Sequence, residues 1–428
     1  MQQRDASFAL KGDICYSVDE RTFRTIPGGY LICEDGVSGG AFDALPAEHE
    51  RLPVHDCSGR IIIPGLTDLH VHAPQFSFRG LGMDMELLDW LNARTFPEEA
   101  KYGDLAYAKR AYRGFVDDVK RGPNTRAVVF ATCHMPSTLA LMDMLEGSGL
   151  VTMVGKVNQD RNSHPDLQER SAEVSIEDTL AWLEAVSAKK YRNTLPILTP
   201  RFIPACSDKL MRAISKIREE RNLPLQSHLS ENPGEVEWVR ELCPGATSYG
   251  DAYRRLGLLE PAAKCVMAHC VYSYGEEAEL LLDSGTYVAH CPQSNTNLSS
   301  GIAPVRKFLD LGISVGLGSD VAGGSDTSIL RIMADAVRMS KLYWRLVDSQ
   351  DRPLTVEEAF YLGTVGGGSF FGKVGSFEPG YEFDAVVIDD ANLEAPFGLS
   401  ISERVARIVY YADDRNIKAK YARGRPVV

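Results

Sequence analysis

His70 and His72 stand one residue apart at the end of an apolar run, within IIIPGLTDLHVHAPQFSFRG from Ile61 to Gly80. On a strand, side chains two positions apart point to the same face, so both imidazoles leave one strand end side by side. A metal ion asks that of two ligands, and a packed apolar core has no use for it. Three more runs end in the same way. QSHLSE, Gln226 to Glu231, places His228 at a run's end and the Glu231 carboxylate three residues on. MAHC, Met267 to Cys270, carries His269, and Gly318-Ser319-Asp320 closes on an aspartate after two small residues. Three imidazoles and one carboxylate suit a borderline-soft divalent ion such as zinc, with one position left open for water. Such an ion lowers the pKa of water and supplies hydroxide near neutral pH. A glutamate beside it but outside the ligand set can then carry protons.

Eight apolar runs can position these groups: Arg60 to Leu69, Ala127 to Thr132, Leu150 to Val157, Pro196 to Phe202, Leu223 to His228, Lys264 to His269, Gly285 to His290 and Ile313 to Asp320. Between them lie helical candidates: Met85 to Val119, Thr138 to Leu145, Ser175 to Ala188, Asp208 to Arg221 and Glu276 to Leu282. Eight β/α alternations fit a TIM-type (β/α)8 barrel, and a doubly wound open sheet would alternate similarly. The polar residues favour the barrel. His70, His72, Cys133, His134, Arg201, His228, His269, His290 and Asp320 all lie at run ends, where barrel enzymes gather side chains from several strands. No G-x-G-x-x-G or G-x-x-x-x-G-K motif follows a run, so a nucleotide-binding sheet has no support. VAGGS (Val321 to Ser325) reads as a site loop and VGGGS (Val365 to Ser369) as a turn.

Both ends of the chain read as β-rich. Ser7 to Leu10, Thr25 to Cys33 and Arg51 to Val54 precede the barrel, and Ala385 to Ile388, Val405 to Tyr411 and Asn416 to Tyr421 follow it. The expected organisation is a small β-sandwich built from residues 1–64 and 375–428 around a catalytic barrel of residues 65–374.

A chain of 428 residues, 44% hydrophobic and 24% charged, is of globular composition. The net charge of −12 and the absence of any Lys/Arg-rich run exclude a nucleic-acid surface. Nine scattered cysteines without a C-x-x-C exclude a zinc ribbon and suggest reduced thiols in a cytoplasmic protein. The stretch MQQRDASFALKGD lacks the apolar core of a signal peptide, and no segment approaches a membrane span.

HVH, SHLSEN, AHC and GSDVAGG together resemble the amidohydrolase superfamily in its mononuclear deaminase branch. HVHAPQFSFRG with LLDWLNARTFPEE, TPRF (Thr199 to Phe202), AHCPQSN (Ala289 to Asn295) and GSDVAGGSD resemble the guanine deaminases within it. The likeness runs from about Pro64 to Asp326, and the GYEFDAVVID tail shares it. It implies one divalent metal per chain, zinc or else iron, on His70, His72, His228 and Asp320. His269 would polarise the reacting centre and Glu231 would shuttle protons. Gln75 would meet the purine edge, Arg201 the ring carbonyl, and Phe202 would line the pocket, with His72 and His228 also against the base. Two-metal members carry a bridging lysine at the fourth strand's end, where this chain reads Thr199-Pro200-Arg201.

The implied reaction is hydrolytic deamination of guanine to xanthine and ammonia by a metal-activated water, with Glu231 and Asp320 moving protons. It is a step of purine catabolism, and barrel enzymes of this size are often homodimers. The alternatives are a deaminase of another purine, a pterin or an adenosyl thioether, a triazine chlorohydrolase, or a non-catalytic scaffold on the same barrel. A cytidine-type zinc deaminase would need H-x-E and P-C-x-x-C, which this sequence lacks. Cys133, His134, His290 and Cys291 are assigned packing or supporting roles. Met135, Met142, Met144, Trp90 and Trp238 are assigned to the core. Asp68 is expected to orient an imidazole, and His55 and His164 have no role.

Overall fold

The computed structural model describes residues 7–261, 263–393 and 395–427. Its centre holds eight parallel strands in chain order: Leu66–His72, Asn124–Phe130, Val151–Gly155, Thr194–Pro196, Leu225–Leu229, Cys265–His269, Tyr287–His290 and Val315–Leu317. They form two four-stranded parallel sheets, the first four strands in one and the last four in the other. Backbone hydrogen bonds join the two at both seams. On one side Gln226 N donates to Leu198 O (2.9 Å), and on the other Asp320 N donates to His70 O (2.8 Å).

Leu69, Val128, Met153, Ile197, Val266, Ala268 and Ala289 pack together with Phe370 in an inner core. A larger core lies between strands and helices, where Val71, Val129 and Leu225 meet Phe115, Trp182 and Ile214. Burial on both faces explains why these strands read as unbroken apolar runs. The helix Asp208–Arg221 has the bounds read from the sequence, because Ser207 accepts a hydrogen bond from Leu210 N and the apolar positions recur every three or four residues.

The termini combine into one seven-stranded mixed sheet. Its order is Arg425–Pro426, Ile417–Ala422, Ala385–Ile388, Val54–Pro64, Phe8–Ser17, Phe23–Glu34 and Val37–Phe42. The sheet curls strongly: Phe383 N donates to Gly36 O (2.8 Å), and the Phe8 ring meets those of Phe383 and Tyr421 at 5.4 and 5.2 Å. Gly65 marks the passage from this sheet to the first central strand. A Cβ there would lie 2.3 Å from Thr125 Oγ1, so only glycine fits.

Three expectations are corrected. Val405 to Tyr411 is helical, within Ile401–Tyr411. Ser400 and Glu403 form a capping box, and Val405, Ile408 and Val409 are buried at helical spacing, which outweighs their β-branched character. The stretch Met85 to Val119 is not one helix but breaks into Leu87–Trp90, a π-turn Leu91–Thr95, Phe96–Ala100 and Leu105–Arg121. Val365 to Ser369 is not a free turn. It ends the helical segment after Tyr361 and lies close against the central strands, where a Cβ on Gly366 would stand 2.5 Å from Val315 O.

Candidate active site

The C-terminal ends of the central strands bring their polar residues to one place. His72 Nε2 lies 3.2 Å from both His70 Nε2 and His228 Nε2. Asp320 Oδ1 stands 3.2 Å from His70 Nε2 and 3.5 Å from His72 Nε2. The register slips between Asp68 and Val71, an irregularity of the kind that re-aims side chains at a strand end. His269 and Asp320 both hold left-handed backbone, with φ of 73° and 44°. Non-glycine residues adopt that conformation at a cost of about 1–2 kcal/mol each, which the surrounding packing must offset.

The donor set fits a divalent ion. His228 Nδ1 donates to the Arg201 carbonyl (2.7 Å), which leaves its Nε2 lone pair facing the cluster. Candidate ligand atoms of His70, His72 and His228, and likewise those of His70, His269 and Asp320, lie within 4.8 Å of one another. Burial, then the charge of His70, holds His72 and His228 well below the usual imidazole range, so both are neutral and able to ligate. Burial works to raise the Asp320 carboxyl, but the charge and hydrogen bond of His70 outweigh it and keep the group ionised. Neutral imidazoles converging on an ionised carboxylate are what a zinc-type ion binds.

Glu231 sits beside this cluster with opposite tuning. Burial, reinforced by the charge of Asp320, pushes its carboxyl well above the ordinary range. Its Oε2 stands 3.4 Å from His269 Nε2, and its Oε1 accepts from Ser300 Oγ (3.3 Å). His269 Nδ1 meets Asn295 Oδ1 at 2.9 Å, which fixes the ring. Two carboxylates whose pKa values are driven apart are chemically able to serve as an acid and a base.

A cavity opens beside them, lined by His72, His228, His269, Glu231 and Asp320. Gln75, Arg201 and Phe202 line it as well, so each residue expected against a substrate reaches it. Phe202 stands 6.5 Å from the His228 ring and 6.2 Å from Trp238, centroid to centroid. Asp68 does not orient an imidazole. It accepts from the backbone of His70 (3.1 Å) and Ser319 (3.0 Å) and so ties the first strand to the end of the eighth.

The sequence reading missed part of the cavity's lining. Trp90, assigned to the core, lines it with Leu87 and Leu91. Glu99, given no role, is 3% exposed and binds both Arg201 and Gln75. Glu235 also lines it, accepts from Glu231 N (2.9 Å), and is raised by burial to about 7. Glu98 and Glu99 are both buried on the short helix Phe96–Ala100, and no local spacing singles out Glu99.

Known proteins resemble this chain over most of its length. Residues 61–427 match a family model described as the amidohydrolase family. A guanine deaminase of Dictyostelium discoideum is 39% identical over 98% of this chain and 97% of its own. The human guanine deaminase is 38% identical over 90% of this chain and 85% of its own. A crystal structure of guanine deaminase from C. acetobutylicum, with guanine bound in the active site, is 42% identical. It superposes with a TM-score of 0.95 over 99% of this chain and 100% of its own. With the match spanning both the strand-end cluster and the returning terminal strands, the chain belongs to the amidohydrolase family.

Proposed function

We propose that this chain hydrolyses guanine to xanthine and ammonia. One observation carries the reading. The imidazoles of His72, His228 and His269, the Asp320 carboxylate and the buried Glu231 carboxyl converge on one cavity that an arginine fork and an amide, Arg201 and Gln75, also line. The likeness to a structure holding guanine supports the same substrate.

The eight parallel strands, bonded at both seams, are read as a closed (β/α)8 barrel of residues 65–374. The curled terminal sheet is read as the β-sandwich of residues 1–64 and 375–428. His70, His72, His228 and Asp320 would hold one divalent ion, zinc by donor type. When bound, that ion supplies an acidified water as nucleophile at neutral pH.

The chain's own residues do the rest. Arg201 donates to the ring carbonyl, Gln75 pairs with the purine edge, and Phe202 packs against the base with His72 and His228 nearby. Glu231 donates its proton to the ring nitrogen next to the carbon that bears the amine. Asp320 accepts a proton from the attacking water, and His269 supports the charge that develops between them. That proton passes to the amine, ammonia leaves, and the remaining hydroxyl proton returns to Glu231 as the carbon becomes a carbonyl. Sites built to hydrogen-bond a substrate reject analogues that leave their buried groups unpaired.

A cytoplasmic homodimer completes the reading. All nine cysteines are free thiols, and Leu342, Leu346 and Val347 form an exposed apolar strip at one helix end. Among the described residues no helix is long and apolar enough to cross a membrane. Ammonia release by the purified, metal-replete protein tests the function, with guanine, adenine, cytosine, a pterin and a chlorotriazine as substrates. Release from guanine alone is expected. Faster release from another member would keep the site and reject the substrate.

A further inference from the structure

We infer that Glu99 is the residue that sets substrate specificity, by fixing how Arg201 and Gln75 face the purine; the inference rests on the function proposed above. Arg201 Nη1 donates to Glu99 Oε2 (2.6 Å) and Nη2 to Oε1 (3.2 Å), a bidentate pair. Gln75 Nε2 donates to the same Oε1 at 2.8 Å. Gln75 Oε1 accepts from Ala322 N (3.3 Å), so its amide cannot flip without losing both bonds. One carboxylate therefore orients both of these groups lining the cavity.

Two further observations make this more than an ion pair. Glu99 and Phe96 lie on one short helix, and the Arg201 guanidinium sits 5.1 Å from the Phe96 ring, clamped between face and carboxylate. The charge of Glu99 also cancels that of Arg201 inside a buried site, where Arg201 is 4% exposed. A neutralised fork suits a neutral ring carbonyl, whereas an uncompensated arginine would favour an anion. The segment between the first two central strands, which also supplies Leu87, Trp90 and Leu91, is thus a specificity module separate from the strand-end cluster. Glu99 is a positioning residue: it acts through Arg201 and Gln75.

The test compares wild type, Glu99→Gln and Glu99→Asp on guanine and on 2-aminopurine, which keeps the reacting amine and lacks the ring carbonyl. Glu99→Gln is expected to lower kcat/KM for guanine by about 100-fold, mainly through KM, since a displaced partner costs on that order. The value for 2-aminopurine should change by less than about threefold, so discrimination between the two collapses. Glu99→Asp keeps the charge with a shorter reach and should show a guanine KM raised by about tenfold. That variant keeps the test open if Glu99→Gln does not fold. An equal loss on both substrates would make Glu99 a structural residue only and overturn the inference. Unchanged guanine kinetics in both variants would overturn it while leaving the proposed function intact. No turnover of guanine by wild type would overturn both.

Discussion

Two buried arginines, at opposite ends of the central strands, share nearly the same surroundings. Arg126, near the start of the second strand, binds Asp384 through Nε (2.7 Å) and Nη2 (3.0 Å) and lies 5.5 Å from the Phe371 ring. Arg201, beyond the end of the fourth, binds Glu99 through both Nη atoms and lies over Phe96. Their neighbours differ. Asp384 also accepts from Thr125 Oγ1 and Arg423 N, and Glu382 bridges Arg126 and Arg423, so this cluster is spent in joining the terminal sheet to the central strands. Arg201 faces a cavity. An arginine–carboxylate pair becomes part of a site when packing leaves one face of the fork free, and the residue types alone do not decide it.

The two ends should therefore respond differently to substitution. The largest effect is expected at the strand-end cluster. His228→Ala or Asp320→Asn should cut turnover by about 10⁴-fold, in line with loss of a whole catalytic unit. The melting temperature of the metal-free protein should fall less than in the Asp384 variant below, because these side chains face the cavity on one side. A large loss of stability there would erase the distinction between the two ends. At the opposite end, Asp384→Asn should cost about 3 kcal/mol in denaturant unfolding, because it removes the fully buried partner of Arg126 and leaves only the part-exposed Glu382 as counter-charge. Activity per folded molecule should be unchanged.

Arg201→Lys should lower kcat/KM for guanine by about 100-fold, since a point charge cannot replace the fork. Stability should shift little in comparison with the Asp384 variant. The smallest effect concerns pH. Burial acts to raise the Asp384 carboxyl, but the charge and hydrogen bonds of Arg126 outweigh it and hold it below the ordinary 3.8. A carboxylate depressed on folding contributes stability that is present above its unfolded value and lost as pH falls through its folded value. The wild-type melting temperature should hold a component that disappears only below about pH 4. The Asp384→Asn protein should lack it in melting curves taken at stepped pH.

Much of the site was readable from spacing. His70 and His72 are two apart on a strand, and each other candidate ligand ends a run of its own, so a barrel geometry makes them converge without further information. Seven of the eight runs overlap central strands because burial on both faces leaves an apolar signature, whereas the fourth strand, Thr194–Pro196, ends where the run Pro196 to Phe202 begins. Part of the cavity's lining and its support lay beyond such reading. Trp90 and Glu99 come from a segment whose helix is broken by a π-turn and by Pro97, and no periodicity says which face of a broken helix turns inward. Glu99 is buried only because Arg201, 102 positions away, needs a counter-charge. Val405, Ile408 and Val409 misled for a simpler reason: β-branched residues at helical spacing satisfy a strand propensity and a helix pattern at once, and the Ser400–Glu403 cap decides between them.

Under the proposed function Glu231 supplies the proton at a strand-end cluster that would hold its ion independently of Glu231. Turnover of guanine and metal content per chain, measured on the same preparation of Glu231→Gln, test it most directly. The account predicts about one ion per chain, as in wild type, with turnover lowered at least about 10³-fold. Near-full turnover in that variant would contradict it.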